Sequence, residues 1–159
     1  MTGVPARWVS IDPGNSHVGF AQWEGSECVA AFETTPRDAE DRLIASSSDP
    51  WWLDLIVVED FTLYAHLARL QAGKRMLTSE LIGAIELIGR LRGVPVLRQS
   101  AAVGKRVYSL EPYRSAPQRW WPSYGHGEHT KDAVAHGYSY LLRVHKLAPE
   151  MTTNYGQQR

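Results

Sequence analysis

The stretch Trp8-Val9-Ser10-Ile11-Asp12-Pro13-Gly14-Asn15-Ser16-His17-Val18-Gly19-Phe20-Ala21 decides the reading of this chain. An apolar, β-type run ends on Asp12, Pro13-Gly14 imposes a sharp turn, and a second β-type run begins at His17. Asp12 is therefore expected at the carboxyl end of a central strand. A carboxylate inside a sheet is costly to bury unless something positive meets it. Asp before Pro-Gly is also ordinary turn chemistry, so on this stretch alone a turn cap and a functional carboxylate are both open readings.

Working outward, residues 7–12, 17–23 and 27–33 read as three short strands, joined at Pro13-Gly14-Asn15-Ser16 and at Glu24-Gly25-Ser26. Their spacing and turn residues describe an antiparallel meander. Pro36 opens a short, polar helix to Ser47, expected on the surface, and Asp49-Pro50 ends it. Trp51-Trp52-Leu53 follows, with packing the favoured role for the tryptophans. Asp54-Leu55-Ile56-Val57-Val58-Glu59-Asp60 then reads as a strand whose continuous apolar centre suits burial on both faces of a sheet. It also ends on carboxylates, so Asp12 and Glu59 are expected at matching strand ends.

Phe61 to Lys74 is ambiguous, with helical spacing interrupted at Gly73. Thr78 to Leu91 is a firmer helix, with Leu81, Ile82, Ile85, Ile88 and Leu91 on a helical period, and Gly93 stops it. Val94 to Arg98 is a further strand, near an edge or with Pro95 at its start. Strand, helix, strand implies a right-handed parallel crossover. Ser100 to Val107 forms a short helix carrying Lys105 and Arg106. Tyr108 to Glu128 is a long stretch rich in Pro, aromatic and basic residues, including Tyr113, Arg114, Arg119, Trp120, Trp121 and Tyr124. A loop of that length in a compact domain is usually functional or disordered. His129 to Lys146 reads as the last helix, followed by a frayed, flexible tail at residues 147–159.

The chain has 159 residues, enough for one domain that buries roughly two thirds of its unfolded surface. We read residues 1–146 as that single domain. No run of eighteen apolar residues and no charged-then-apolar leader is apparent, so a soluble intracellular protein with no membrane partner is expected. The single cysteine, Cys28, falls in a strand-like run and reads as a small core residue. Net charge is zero, but its distribution is not even: residues through Asp60 carry −8 and the remainder +8. Between Arg90 and Arg119 seven basic residues face only Glu111. Such asymmetry suits a polyanion footprint on one part of the surface.

The last helix begins His129-Thr130-Lys131-Asp132-Ala133-Val134-Ala135-His136. Spacings of three and four place His129, Asp132 and His136 on one helical face. Ala133 and Ala135 keep the neighbourhood small, which lets the helix approach the sheet and brings Asp132 to Asp12 and Glu59. Three oxygen donors from separate elements, with His129 as a nitrogen donor, are what a divalent-cation site needs. Capping is the plainer alternative for His129 and Asp132. The sequence gives His136 no partner, and a core or surface histidine is the favoured reading. Asp60 competes with Glu59, but alternation puts the two on opposite sheet faces, so only one should point into the site.

These residues resemble a known family. The order of elements looks like the ribonuclease H fold: an α/β architecture with a mixed five-stranded sheet, antiparallel meander plus parallel strands, flanked by helices. The motifs look like the RuvC family of Holliday junction resolvases, particularly its small bacterial and phage-type members. Asp12-Pro13-Gly14 with Gly19 matches that family's first strand motif. Val57-Val58-Glu59 matches its second acid, and His129 through Ala133 its terminal helix motif. The similarity spans roughly residues 7 to 146.

The resemblance implies that Asp12, Glu59, His129 and Asp132 are catalytic and hold two Mg²⁺ or Mn²⁺ ions. It implies hydrolysis of branched DNA, leaving 5′-phosphate and 3′-hydroxyl ends, by a homodimer with one active site for each strand cut. It places the protein in the cytoplasm of a bacterial cell or a phage-infected host. Phe61 and Tyr64 stand for the aromatic residue that contacts the junction centre, Phe61 closer to the second acid than the family pattern has it. Lys105, Arg106, Arg114 and Arg119 are the DNA-binding candidates, of which only Lys105 has a counterpart ahead of the final helix. Trp120, Trp121 or Tyr124 can stack on unpaired bases or bury against the sheet. Other readings are a nuclease of the same fold acting on flaps, forks or structured RNA, and a non-catalytic protein that binds branched DNA. Asp-x-Gly after a strand also occurs in actin-like nucleotide-binding folds, but those need two large lobes, and this chain is too short.

Overall fold

The computed structural model describes residues 3–45, 53–63, 68–69, 72–110 and 127–146. The expectations placed on Trp51-Trp52, Tyr64, Tyr113, Arg114, Arg119, Trp120, Trp121, Tyr124 and the tail at 147–159 fall outside these residues. Five strands form one sheet: β1 Arg7–Pro13, β2 Val18–Glu24, β3 Glu27–Thr34, β4 Leu55–Asp60 and β5 Val96–Ser100. The order across the sheet is β3-β2-β1-β4-β5. The first three strands are the antiparallel meander, and β1–β4 and β4–β5 pair in parallel. Helix α1 spans Pro36–Ala45, α2 Leu77–Arg92, α3 Ala101–Val107 and α4 Glu128–Tyr140, which widens into a π-helical turn over Leu141–His145. Among the described residues no helix is long and apolar enough to cross a membrane.

The sheet has a core on each face, and strand alternation decides which residue serves which. Val9, Ile11, Ile56 and Val58 turn toward α1 and α2, where Ala39, Leu43, Leu81, Ile82 and Ile85 meet them. Trp8, Leu55 and Val57 turn the other way, with Ala21, Trp23 and Cys28, toward Ala133, Val134 and Tyr138 of α4. The central strands are therefore apolar on both sides, which explains their unbroken hydrophobic runs. Helix α1 is polar outward but buries Ala39 and Leu43.

Strand β5 is at the sheet edge and begins two residues later than the sequence pattern suggests. The N–H of Val94 is taken by the Gly89 carbonyl at the end of α2, and Pro95 has no N–H to donate. The Pro95 carbonyl accepts from the Ile56 N–H, so Pro95 precedes the strand on its bonding edge.

Helix α4 lies unusually close to β1 and β2. A Cβ on Gly19 would overlap the carbonyl of His129, and one on Gly137 would overlap the indole of Trp23. Between these two points Ser10 ties strand to helix. Its fully buried hydroxyl donates to the Ala133 carbonyl at 2.6 Å and accepts from Trp23 Nε1 at 2.8 Å. Trp23 stacks on Trp8 at 4.7 Å between ring centroids, and Tyr138 and Tyr140 close on the pair edge-on. The polar atoms here are satisfied, so the aromatic layer is buried without orphaned donors.

Gly137→Ala is expected to destabilise the protein by about 1–3 kcal/mol, the usual cost of overpacking a filled core. Urea unfolding measures it. A variant as stable as the parent would mean that α4 can lift from Trp23 without penalty.

Candidate active site

The parallel register of β1 and β4 pairs Ser10 with Val57, so two residues further on Asp12 and Glu59 follow at neighbouring strand ends, on the α4 face. The first turns of α4 stand over these ends because Gly19 lets the His129 backbone rest on β2. Glu33 on β3 accepts from the His129 N–H at 3.2 Å, supplying negative charge to the helix N-terminus. His129, Asp132 and Glu59 are brought with Asp12 to one cavity of about 470 Å³, lined also by the Pro13–His17 turn, Asp60, Phe61 and Thr78.

Each acid has its own neighbour. His129 Nδ1 donates to Asp12 Oδ2 at 2.6 Å. Tyr108, just beyond α3, donates its hydroxyl to Asp132 Oδ1 at 2.8 Å. His136 Nε2 donates to Glu59 Oε2 at 2.7 Å. Asp60 turns to the opposite sheet face and pairs at 3.0 Å with Arg98, which also holds Glu86 of α2. Alternation thus separates Glu59 from Asp60 as expected, although both border the cavity.

Electrostatics set Asp12 apart. Burial pushes its carboxyl up to about 6, the charge of Glu59 adds to this, and the hydrogen bond and charge of His129 oppose it. Asp132 contributes a smaller upward push. Among the described residues no Lys or Arg lines the cavity, so its carboxylates lack a resident cation. Burial and the charge of Asp132 also hold the Tyr108 phenol well above its ordinary range, keeping it a hydrogen-bond donor.

An oxygen-rich, like-charged group of this composition suits hard divalent cations. Among the described residues, however, no three His, Cys, Asp or Glu side chains already stand at metal-ligand spacing. Each is instead turned to its own hydrogen-bond partner.

Of the DNA-binding candidates, Phe61 borders the cavity and is 39% exposed, while Lys105 and Arg106 are exposed on α3 away from the lining. Tyr64, Arg114 and Arg119 lie outside the described residues. Sequence reasoning missed four contributors. Tyr108 is one, and Gln99, Gly104 and the partnered state of His136 are the others. The i, i+4 spacing from Asp132 to His136 was the available signal, but its partner lies on β4, 77 residues away.

An α/β fold of ribonuclease H type, with an acidic cavity at the carboxyl ends of its two central strands, defines the class. More particularly, the chain has the fold of the RuvC Holliday junction resolvases. RuvC of Thermus thermophilus in complex with a Holliday junction substrate superposes with a TM-score of 0.64 at 15% identity, over 90% of this chain and 98% of that one. A second Thermus thermophilus RuvC structure gives 0.57 at 16% identity, covering 90% and 99%. The fowlpox virus Holliday junction resolvase gives 0.51 at 14% identity, covering 87% and 99%. No protein-family model matches the sequence, and no curated protein does.

The raised carboxyl of Asp12 has a definite sign. Its folded-state value of about 6 exceeds the ordinary 3.8, so the folded protein holds this proton more tightly than the unfolded chain does. In metal-free protein, stability is lost as pH rises from about 4 through about 6, and the loss persists above that. Urea unfolding with chelator at pH 4 and pH 7 should show Asp12→Asn gaining on the parent by on the order of 1–3 kcal/mol at the higher pH. Equal pH dependence of parent and variant would contradict a buried Asp12 carboxyl held above its ordinary value.

Proposed function

We propose that this protein is a divalent-metal-dependent endonuclease that resolves four-way DNA junctions, acting in the cytoplasm on branched DNA. The observation that carries this reading is the convergence of Asp12, Glu59, Asp132 and His129 on one cavity that no Lys or Arg lines among the described residues. The shared fold with RuvC structures, one solved on a Holliday junction, supports the same substrate class.

In this reading Asp12, Glu59 and Asp132, with His129, hold two Mg²⁺ or Mn²⁺ ions. Such ions, when bound, supply activation of the attacking water and neutralisation of charge on the leaving oxygen. Asp12, the most buried of the carboxylates and the one that feels both of the others, would be held closest to the sheet among these ligands. His129 is partly exposed and hydrogen-bonded through Nδ1, so its remaining Nε2 would either complete the ion's ligand set or, as the alternative, orient a water and take its proton. In the same reading Phe61, exposed at the cavity rim, meets a base at the branch point; its exposure and position at the rim support this. Exposed Lys105 and Arg106 of α3 contribute phosphate contacts in this reading, with Arg114 and Arg119 kept as candidates from the sequence.

The deciding experiment presents labelled four-way junction, flap, fork, structured RNA and linear duplex in Mg²⁺, Mn²⁺ and Ca²⁺. Paired, symmetric nicks in the junction are expected in Mg²⁺ or Mn²⁺, with cleavage falling at least about a thousandfold in Asp12→Asn while junction binding persists. Preferential cutting of flaps, forks or RNA would replace the substrate but keep the nuclease. Tight junction binding with no cleavage in any metal would leave a branch-binding protein.

Symmetric cutting needs two sites, and we propose a homodimer formed through the outer face of α2. This helix is apolar on two sides: Leu81, Ile82, Ile85 and Gly89 serve the sheet. Leu87 and Leu91 stand 45% and 73% exposed one turn apart, continuing a row from Gly83. Leu87→Glu together with Leu91→Glu should convert a dimer to monomer in sedimentation velocity. A parent that already sediments as a monomer would refute the dimer, and a variant that stays dimeric would move the interface elsewhere.

A further inference from the structure

Behind the acidic cavity lies a histidine that the proposed chemistry does not use. His136 is 1% exposed, one helical turn beyond Asp132 on α4. Its ring spans two strands. Nε2 reaches Glu59 Oε2 on β4 at 2.7 Å, and Nδ1 meets Gln99 Oε1 on β5 at 2.9 Å. Glu59 and Gln99 are register partners in the parallel β4–β5 pair, so their side chains leave the sheet side by side on the same face. A single imidazole above them can therefore touch both.

The space for this ring comes from α3. A Cβ on Gly104 would come within 2.8 Å of His136 Nε2, so this position admits no side chain while the ring stays in place. Gln99 is itself buried, and its amide can present either oxygen or nitrogen to Nδ1. Either way the far side of the ring is occupied, and its Nε2–H is aimed at the carboxylate.

Glu59 needs such a hold. A glutamate has three side-chain torsions to fix, and Asp12 and Asp132 repel it from the cavity it borders. With Oε2 held from behind, Oε1 is the oxygen left to the cavity. Partners of this kind orient ligands, and losing one typically lowers metal affinity roughly 10–100-fold.

We infer that His136, clamped by Gln99 and seated over Gly104, is a positioning residue that fixes Glu59 for divalent-cation binding. This rests on the reading of Glu59 as a metal ligand, and the test separates the two. Mn²⁺ is titrated by calorimetry into metal-stripped, DNA-free full-length protein. The proteins compared are the parent, Glu59→Gln, His136→Leu, His136→Gln and the double variant Glu59→Gln/His136→Leu.

His136→Leu should weaken Mn²⁺ binding roughly 10–100-fold. His136→Gln, which keeps an N–H within reach of Glu59, should recover most of that loss. In the Glu59→Gln background, His136→Leu should cost nothing further, because the histidine acts through Glu59. In cleavage, the Mg²⁺ concentration for half-maximal rate should rise in His136→Leu while junction affinity in Ca²⁺ stays unchanged. Parent-like Mn²⁺ binding by His136→Leu, or losses that add in the double variant, would overturn the inference. Should His136→Leu fail to fold, Gln99→Met frees the ring from its other side and is judged by the same criteria. If Glu59→Gln binds Mn²⁺ as the parent does, the reading of Glu59 as a ligand fails first.

Discussion

The structure depends on how closely the last helix is seated on the sheet. Gly19 and Gly137 remove the side chains that would hold α4 away, one on the strand and one on the helix. Ser10 then fills the gap with two short hydrogen bonds, and the Trp8–Trp23 stack provides the floor. Without that approach, His129 and Asp132 would remain on a helix with no strand carboxylates beneath them. A packing constraint at backbone distance thus decides whether these four side chains meet.

The same seating concentrates negative charge. Asp12, Glu59 and Asp132 converge where strand ends and helix N-terminus meet, and burial raises the carboxyl of Asp12 above its ordinary value. The fold meets this cost with hydrogen bonds from His129, Tyr108 and His136, one for each acid. Those bonds steady the carboxylates individually but do not supply a cation. Active sites commonly hold such unfavourable charge in readiness for a ligand.

Helix α3 has a part in this that its seven residues do not advertise. Gly104 faces His136, Tyr108 just past its end holds Asp132, and Val107 enters the core under α4. Its exposed Lys105 and Arg106 sit on the same short element. One side of α3 therefore braces two of the acids while the other offers positive charge to solvent.

The sequence by itself determined the sheet and the position of the acids along it. Period-two alternation, Pro-Gly and Gly turns, and unbroken apolar runs are local signals, and they located all five strands, with β5 displaced by two residues because Val94 remains bonded to α2. The carboxyl-terminal placement of Asp12 and Glu59, and the shared face of His129, Asp132 and His136, follow from spacing alone. Tertiary structure alone decided the partners. Spacing gives His136 no partner, yet it joins Glu59 and Gln99, and the tyrosine holding Asp132 comes from the turn just beyond α3. It also gave α2 two apolar faces, one against the sheet and one exposed. Spacing along the chain fixes the direction of a side chain from its own element. What that side chain meets depends on which distant backbone comes within reach, and here glycines at Gly19, Gly104 and Gly137 set those distances.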